Sequence, residues 1–445
     1  MDGIHAEARR LGLNAEPIGR TSRETRPGQA AARLLGYSEE SETGGDFGIT
    51  HRYRFLLFQL ETIAVYRSAA NCVYAAPAIR RGTLYSAGGS EAAGGEWLRA
   101  DPDDAADPKQ RRARKAAARL LFLAGLDYGM VDIGIRPGGR PLLLAIEPFP
   151  AMEAPLAGRL AEALGRYRDA EARERERDPG LPNFRMGADP EFLLTNADGK
   201  VVPASAYLPR QGRAGCDVVR IGGKVMYPLA ELRPRPSADP LQLVGHVRQA
   251  LAAASRLIPD TPGVKWLAGG MPAKGFALGG HIHLSGVSLR VPLLRALDNY
   301  LALPLVLIED ERSSARRPRY GIPGDFRRQP HGGFEYRTLP SWLVSPRVAK
   351  GALALAALVA KRCGSLRARP LLRPDVLSGY FAGDKETLRG VVKPLMADIR
   401  GLPDYAEYAG MIAPLFAMIE NGERWDESAD IRAAWKIGSP VAGGR

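Results

Sequence analysis

The sequence predicts an α+β fold with antiparallel sheets, divided between two domains. In the second half of the chain, short β-like runs alternate with longer helical patterns, which is typical of the α+β class. The first half opens with two adjacent β-like runs, followed by a helical pattern and a hairpin. The chain has 445 residues, and single hydrophobic cores seldom grow beyond roughly 250–300 residues, so we expect at least two domains.

The composition is that of a globular protein without disulfides or membrane spans. Hydrophobic residues make up 45% of the chain and charged residues 25%, which is ordinary for this class. The longest apolar runs, near residues 301–308 and 352–360, are shorter than the about 20 residues that span a bilayer. No apolar signal segment follows Met1, and the three cysteines show neither pairing nor zinc-type spacing. We therefore expect a cytoplasmic protein without a membrane partner.

The formal net charge of +13 raises the question of nucleic-acid binding. Arginines and acidic residues interleave along most of the chain, and the one dense basic run, residues 109–119, has the spacing of a solvated helix face. No helix-turn-helix or zinc-finger pattern accompanies the charge. We therefore expect no nucleic-acid partner, and part of the positive charge is available for anionic substrates such as ATP. Homo-oligomer formation is left open.

The first domain is predicted to cover residues 46–168, after an N-terminal extension over residues 1–45 that lacks periodicity. Strands are predicted at residues 54–60, 62–67, 128–135 and 141–146, and helices at residues 107–124 and 154–168. Gly125 is in the position that ends the first helix, and Pro137-Gly138-Gly139 turns the chain between the last two strands.

A charged linker is predicted over residues 169–180, where the signs alternate and Asp178-Pro179-Gly180 closes the run. The second domain then covers residues 181–445. Its predicted helices are residues 240–257, 291–312, 345–362 and 384–399. The short strands between these helices carry the polar motifs that bear on function.

Two histidines form the pattern Gly279-Gly280-His281-Ile282-His283. On a strand, side chains two residues apart point to the same face, and the glycines permit close approach of a ligand or of another backbone. A single histidine is more often structural than a ligand. Two imidazoles on one face beside acidic strands favour a ligand role for at least one of them.

Acidic residues recur in three other β-like runs. These runs are Gly187-Ala188-Asp189-Pro190-Glu191-Phe192, Glu231-Leu232-Arg233-Pro234 and Gly333-Phe334-Glu335-Tyr336-Arg337-Thr338. The i, i+2 spacing puts each acid on the same face as a second acid or an arginine. The structural alternative is a solvated strand, or a cross-strand ion pair worth about 0.2–1 kcal/mol. Carboxylates for a divalent metal and guanidinium groups for phosphate would explain all three runs together.

Three more arginines, Arg312, Arg316 and Arg319, follow the acidic end of the predicted helix 291–312. They precede a glycine-containing loop, residues 320–325, which could cover a substrate. A basic loop at a helix C-terminus, where cations are favoured, explains the same residues equally well.

At these motifs the second domain resembles the amidoligases related to glutamine synthetase and glutamate–cysteine ligase, in particular the phage phiEco32-like COOH.NH2 ligase type 2 group. The resemblance covers roughly residues 184–362 and rests on the order of the four motifs as well as on their content. It implies a glutamine-synthetase-like antiparallel sheet with helices. It also implies an ATP-dependent, ADP-forming ligase that uses Mg²⁺ (or Mn²⁺) and joins a carboxylate to an amine through an acyl phosphate. The substrates would be an amino acid, a small peptide or a peptide terminus.

The resemblance also implies roles for individual residues. The metal ligands would be Asp189, Glu191, Glu231, His281 and Glu335. Catalytic contacts to the transferring phosphate would come from Arg233 and Arg337, and a contact to the nucleotide from His283. From the sequence itself we further assign Arg312 to catalysis and Arg316 and Arg319 to nucleotide binding. Whether His281 or His283 is the ligand stays open, with His281 favoured.

The first domain resembles part of an ATP-grasp domain, in Arg54–Phe58, in residues 125–133 and in Ile146-Glu147-Pro148-Phe149-Pro150. The resemblance implies that Asp132 and Glu147 correspond to the magnesium-binding carboxylates. Phe149 stands where that family has an asparagine, and too little sequence precedes Tyr53 for the usual N-terminal lobe. We interpret this domain as a truncated, degenerate ATP-grasp fragment that serves as a scaffold or a peptide-docking module.

Two other functions are compatible with the same residues. A metal-dependent hydrolase would use the same carboxylates and histidines. A non-catalytic scaffold or nucleic-acid-binding protein would depend on the basic surface instead. The paired acids favour the ligase, because they would repel a nucleic acid. No motif identifies the two substrates.

Overall fold

A computed structural model of the chain describes residues 2–11, 13–14, 27–38, 48–68, 97–101, 107–148, 150, 153–175, 183–221, 224–330 and 332–438. The chain forms two compact units. The first comprises Met1–Arg177 and Leu371–Ser378, and the second comprises Asp178–Pro370 and Gly379–Arg445. Both combine helices with antiparallel sheets, which confirms the predicted α+β class. Among the described residues, every helix is too short or too polar to cross a bilayer.

The first unit is built on an antiparallel sheet with the strand order β3-β2-β1-β4-β5. Its strands are β1 (His51–Phe58), β2 (Glu61–Ser68), β3 (Trp97–Ala100), β4 (Tyr128–Ile135) and β5 (Pro141–Glu147). Its helices are α1 (Asp2–Arg10), α2 (Pro27–Leu34), α3 (Pro108–Leu123) and α4 (Ala154–Arg175). All four strands and both helices predicted in the first domain are present.

Helix α3 shows how local signals set an element of this unit. The Asp107 side chain accepts hydrogen bonds from the backbone of Lys109 and Gln110, and Pro108 occupies the first helical position. Beyond the helix, Gly125 has a φ of 77°, a conformation that residues with a side chain rarely adopt. The predicted helix 107–124 therefore matches at both ends.

The structure differs from two predictions near the ends of the first unit. Helix α1 lies inside the extension that the sequence marks as non-periodic, and its His5 Nδ1 lies 2.8 Å from the Tyr128 hydroxyl. Its stability therefore comes from packing that no local pattern reveals. Helix α4 runs to Arg175, so the first part of the predicted linker 169–180 is helical. The alternating charges of that part suit i, i+4 pairs on a solvated helix; residues 176–180 lie outside the described residues.

The second unit is built on a larger sheet with the strand order β12-β13-β11-β6-β9-β8, and β7 and β10 also pair with β6. Its strands are β6 (Arg185–Thr195), β7 (Val201–Val202), β8 (Ala214–Ile221), β9 (Lys224–Leu232), β10 (Lys265–Leu267), β11 (Gly280–Ser285), β12 (Phe326–Arg328) and β13 (Phe334–Tyr336). Every pairing recorded in this sheet is antiparallel.

The remaining helices follow β9 in the chain. They are α5 (Pro240–Leu257), α6 (Val291–Leu297), α7 (Leu303–Val306), α8 (Pro346–Arg362), α9 (Pro374–Ala382), whose first residues belong to the first unit, α10 (Lys385–Arg400), α11 (Tyr405–Glu420) and α12 (Ile431–Trp435). The predicted helix 291–312 is divided, because a π-helical segment, Asp298–Ala302, separates α6 from α7. The helix ends at Val306, and Glu311–Arg316 forms a 3₁₀ turn.

Candidate active site on the second sheet

Antiparallel pairing brings the predicted residues of four strands onto one face of the second sheet. In the register of the sheet, Asp189 on β6 stands opposite His281 on β11, and Glu191 stands opposite Glu231 on β9. His283 stands opposite Glu335 on β13. Because side chains alternate along a strand, these residues all face the same side.

The glycines before His281 are needed for this arrangement. A side chain at Gly280 would collide with the carbonyl oxygen of Pro340 and the ring of Trp342, and one at Gly279 would collide with the His281 imidazole. The Gly279 N–H also donates to the Glu191 carboxylate, with an N···O distance of 2.6 Å. The Gly-Gly sequence therefore allows β11 to lie close to its neighbours at the site.

The first group of potential metal ligands consists of Asp189, His281 and Glu335, which each offer one atom within 4.8 Å of the others. His281 Nδ1 lies 3.3 Å from Asp189 Oδ1 and 3.1 Å from Glu335 Oε1. Burial alone raises the pKa of Asp189, but the imidazoles of His281 and His283 outweigh it and hold the pKa below its usual range. Asp189 is therefore anionic at neutral pH.

The second group consists of Glu191, Asp217 and Glu231, again with one atom each within 4.8 Å of the others. Burial raises the pKa of Glu191 to about 7. Burial, followed by the charge of the nearby Asp189, raises the pKa of Glu231 to about 8. Three carboxylates this close destabilise one another unless a cation or protons compensate the charge.

Several buried atoms at this face lack a hydrogen bond, which provides a test of whether a metal ion fits. Asp189 Oδ1, His281 Nδ1 and His283 Nε2 are all buried and have no hydrogen-bond partner of acceptable geometry among the described residues. Each nonetheless lies 3.1–3.3 Å from an imidazole nitrogen or a carboxylate oxygen of a neighbouring residue. Buried polar atoms in folded proteins are normally satisfied. A divalent cation between the carboxylates would satisfy these atoms, so the ligand set fits one.

Arginines surround Glu335, which is 1% exposed. The Arg337 guanidinium donates to Glu335 Oε1 at 2.6 Å. Arg327 on β12 lies 3.3 Å from Glu335 Oε2, and Gln329 donates to the same oxygen at 3.2 Å. Arg337 lines the cleft over the carboxylates, and its contact with phosphate stays a prediction.

The other predicted arginines are placed differently. Arg316 lines the cleft, but its guanidinium is buried and donates to the backbone carbonyls of Thr338 and Leu339 at 2.8 and 2.9 Å. It therefore holds the segment that follows β13. Arg319 lines the cleft with Tyr320, over whose ring its guanidinium lies at 5.6 Å.

Two predicted catalytic arginines do not line the cleft. Arg312 donates to both carboxylate oxygens of Asp310, at 2.9 and 2.8 Å, and lies 3.2 Å from Asp426. This local two-pronged pair keeps Arg312 away from the metal-ligand groups. Arg233 forms an ion pair with Glu231 and donates to the Arg210 carbonyl. This contact corresponds to the ion pair that the sequence also predicts as a structural alternative.

Two residues of the site have no counterpart in the predicted set, Asp217 on β8 and Arg327 on β12. The sequence gives only part of the signal for Asp217. Gly222-Gly223 between two β-like runs is a typical hairpin connection, but regular pairing across it would put Asp217 opposite Pro228, on the other face from Glu231. The register shift between Asp217 and Val219 pairs Asp217 with Leu229 instead and so brings it to the face of Glu231. For Arg327 we see no local signal, because β12 has only three residues and is recognised by its pairing with β13.

The back of β13 is anchored by a buried polar network. Tyr336 and Thr338 alternate with Glu335 and Arg337, and the Tyr336 hydroxyl donates to Asp298 at 2.7 Å. Asp298 is 1% exposed and lies in the π-helical segment, a feature frequently found at functional sites. Burial raises the pKa of Asp298 to about 7. This network fixes β13, which carries Glu335, and the adjoining Arg337.

The cleft over the carboxylates has a volume of about 290 Å³ and two kinds of surface. Its floor is the acidic sheet face. Its wall is apolar, because Leu229 and Leu278 pack with Phe276 and Val219 in one cluster beside the carboxylates. The cleft can therefore hold a charged group at the floor and an apolar group at the wall.

The first unit arranges its predicted metal-binding residues differently. Both Asp132 oxygens accept hydrogen bonds from Arg54, each at 2.8 Å, and Arg54 lies over the Trp97 ring at 4.6 Å. Glu147 is on the neighbouring strand β5, and Phe149 lies outside the described residues. Within the described part of this unit, no group of three potential metal ligands occurs. Asp132 is thus neutralised by an arginine of its own sheet.

The comparisons with known proteins agree with the motifs. The model of the family "Phage phiEco32-like COOH.NH2 ligase-type 2" matches residues 186–437, more than half of the chain, and the chain belongs to this family. This confirms the resemblance found in the sequence and extends it beyond residue 362. No curated protein sequence matches the chain significantly.

Two solved structures show a partial similarity to the fold. The crystal structure of the complex between the prokaryotic ubiquitin-like protein Pup and its ligase PafA matches with a TM-score of 0.39 and 14% identity, over 54% of this chain and 63% of that one. A bifunctional glutathione synthetase from Pasteurella multocida matches with a TM-score of 0.35 and 11% identity, over 58% of this chain and 52% of that one. The chain therefore spans less than two thirds of either structure.

Proposed function

We propose that this member of the COOH.NH2 ligase family joins a carboxylate to an amine at the expense of ATP, in the cytoplasm. A carboxylate oxygen of one substrate attacks the γ-phosphorus of ATP, and ADP leaves. The amine nitrogen of the second substrate then attacks the acyl carbon of the acyl phosphate, inorganic phosphate leaves, and the nitrogen loses a proton. The observation that carries the proposal is the pair of ligand groups side by side on one sheet face.

The metal-binding residues of this proposal are the two groups described above. Asp189, His281 and Glu335 would hold one divalent cation, Mg²⁺ or Mn²⁺, and Glu191, Asp217 and Glu231 would hold a second. Such cations neutralise phosphate charge and polarise phosphoryl oxygens. The protein supplies the fixed positions of the oxygens, because the carboxylates stand on paired strands of one sheet.

Arg337 is the residue that we assign to the transferring phosphoryl group. It lines the cleft, and its bond to Glu335 fixes the guanidinium next to the first ligand group. Arginine has five N–H donors, so this bond leaves others for phosphate oxygens. Positive charge is needed most when the phosphoryl group is in transfer, because its charge then spreads over three oxygens.

The substrates are proposed by class only. The apolar wall beside the second ligand group suits a substrate with an apolar portion next to its reacting group. An amino acid, a small peptide or a peptide terminus on a protein all meet this condition. We propose that the first unit has no catalytic role and acts as a scaffold or as a docking module for a peptide.

The proposal is tested with the full chain, ATP, MgCl₂ or MnCl₂, and a mixture of amino acids and short peptides. We expect ADP and inorganic phosphate in equal amounts, together with a product whose mass is the sum of two substrates less one water. Asp217→Asn should remove both signals, whereas Glu423→Gln, an exposed carboxylate paired with Arg347, should keep them. Cleavage of added peptides without ADP formation would instead identify a metal-dependent hydrolase.

A further inference from the structure

A second concave surface lies in the second unit, between α5, β10 and α12. It is a groove of about 640 Å³. One face of α5 forms its longest side, since the residues that line it follow helical spacing. These residues are Gly245, Arg248, Gln249, Ala252, Ser255 and Arg256. Trp266, Arg432, Lys436 and the acidic Asp260 are among the other residues that line the groove.

The groove carries an excess of positive charge. Arg248, Arg256 and Lys436 are exposed, and within the described part of the chain none of them lies within 4.0 Å of a carboxylate oxygen. Arg432, in contrast, pairs with Asp430 at 2.7 Å and with Asp260 at 2.8 Å. Asp260 is the acid among the lining residues, and it pairs with Arg432, so the positive charge of the other three side chains exceeds the negative charge at this opening. This excess favours an anionic ligand.

Trp266 provides an independent observation. Its side chain is 1% exposed and stacks on Phe192 with ring centroids 4.8 Å apart, yet its indole N–H has no acceptor among the described residues. The other three indoles of this unit are satisfied. Trp342 donates to Gly280 O at 2.9 Å, Trp425 to Glu427 Oε1 at 3.2 Å and Trp435 to Leu343 O at 2.6 Å. A ligand oxygen in the groove would supply the missing acceptor.

The groove is separate from the candidate active site. Phe192 follows Glu191 on β6, so its side chain points to the opposite face of the sheet. Trp266 stacks on that side chain and therefore belongs to the back of the sheet. A ligand held there would not contact the metal-ligand groups.

We propose that this groove is a binding site for a small multivalent anion, whose oxygens contact Arg248, Arg256 and Lys436 and accept the Trp266 N–H. The ligand chemistry is that of a phosphate or a polycarboxylate, and the two are distinguished by experiment. The proposal goes beyond the ligase reaction and does not depend on it.

The test is a titration of the full chain, without ATP or metal, with inorganic tripolyphosphate in one arm and citrate in the other. Binding is followed by calorimetry and by tryptophan fluorescence. We expect saturable binding in at least one arm, weakened about tenfold or more in Arg256→Ala/Lys436→Ala, because two charge-assisted contacts are lost. Trp266→Phe should remove the fluorescence response while keeping the aromatic stack.

Arg337→Ala serves as the control, because it alters the active-site cleft and not the groove. It should leave the dissociation constant unchanged. The proposal is overturned if neither anion binds saturably, if Arg256→Ala/Lys436→Ala binds as tightly as the unaltered chain, or if Arg337→Ala abolishes binding. Since no turnover is measured, a failure here is distinct from a failure of the ligase assignment.

Discussion

The two sheets of this protein both carry buried acidic residues in mid-strand, but they balance the charge in different ways. On the first sheet, Asp132 receives two hydrogen bonds from Arg54, one guanidinium for one carboxylate. On the second sheet, the buried Glu191 lies beside Glu231 and the half-buried Asp217, and within the described residues the Gly279 N–H is the one donor to its carboxylate.

This difference separates a structural acid from a candidate ligand. A carboxylate that stands apart from other acids with one arginine, as Asp132 does with Arg54, gains little from a metal ion, because one guanidinium already balances its charge. Carboxylates that are buried together without enough cations gain greatly from one, and their raised pKa values are the sign of that need. The residue that pairs with an acid across the sheet therefore indicates a ligand role better than the presence of the acid in a strand does.

We expect the largest loss of activity when a proposed metal ligand of the second sheet is removed. Glu191→Gln keeps the size of the side chain but removes the anionic oxygen, so we expect ADP formation to fall by about a thousandfold or more. Steady-state assays over a range of Mg²⁺ concentrations measure it, with Glu423→Gln as the control. If Glu191→Gln keeps its rate and its metal affinity, the second sheet holds no catalytic metal and the contrast between the sheets disappears.

The second-largest loss of activity is expected at Arg337, the arginine beside the proposed metal ligands. Arg337→Ala should lower kcat by about a hundredfold with little change in KM, because it removes a charge that acts mainly in the transition state. Arg337→Lys should also be impaired, since lysine keeps the charge and loses the two-pronged geometry. Unchanged ADP formation in Arg337→Ala would leave this residue as an ion-pair partner of Glu335, equivalent to Arg54 on the first sheet.

A smaller effect is expected from the network behind β13. Tyr336→Phe removes a buried hydrogen bond to Asp298, which should cost about 1 kcal/mol of stability and lower kcat by several-fold, because Glu335 and Arg337 lose some of their fixed placement. Tyr300→Phe is the matched control, since Tyr300 donates to Asp398 at the same distance of 2.7 Å away from the cleft. Urea unfolding and kinetics are measured on both. Equal losses of kcat in the two variants would argue against a positioning role for Tyr336.

The smallest effect on turnover is expected on the first sheet. Asp132→Asn should lower the free energy of unfolding by about 1–3 kcal/mol, because it leaves the partly buried Arg54 without its anion, and change kcat by less than about threefold. A calorimetric titration with ATP also tests which of the two units binds the nucleotide. If ATP binding disappears in Glu147→Ala and persists in Glu191→Ala, the nucleotide site belongs to the first unit.

Much of the candidate site was accessible from the order of residues. Asp189 and Glu191, or His281 and His283, share a face because alternation along a strand is a local property. Local signals also gave α3 and α5 their bounds, since Asp107 and Asp239 cap the first turns. The order of the motifs identified the family, which the family model confirms.

The folded chain was needed for every feature that depends on a distant partner. Register across the sheet places Glu191 opposite Glu231 and brings in Asp217. Arg312 is bound by its near neighbour Asp310 and by the distant Asp426 instead of lining the cleft. Identical residue types are therefore proposed metal ligands in one place and ion-pair partners or structural donors in another. The physical reason is that side-chain direction follows from the neighbouring residues along the strand, whereas charge balance and burial follow from contacts between segments far apart in the chain.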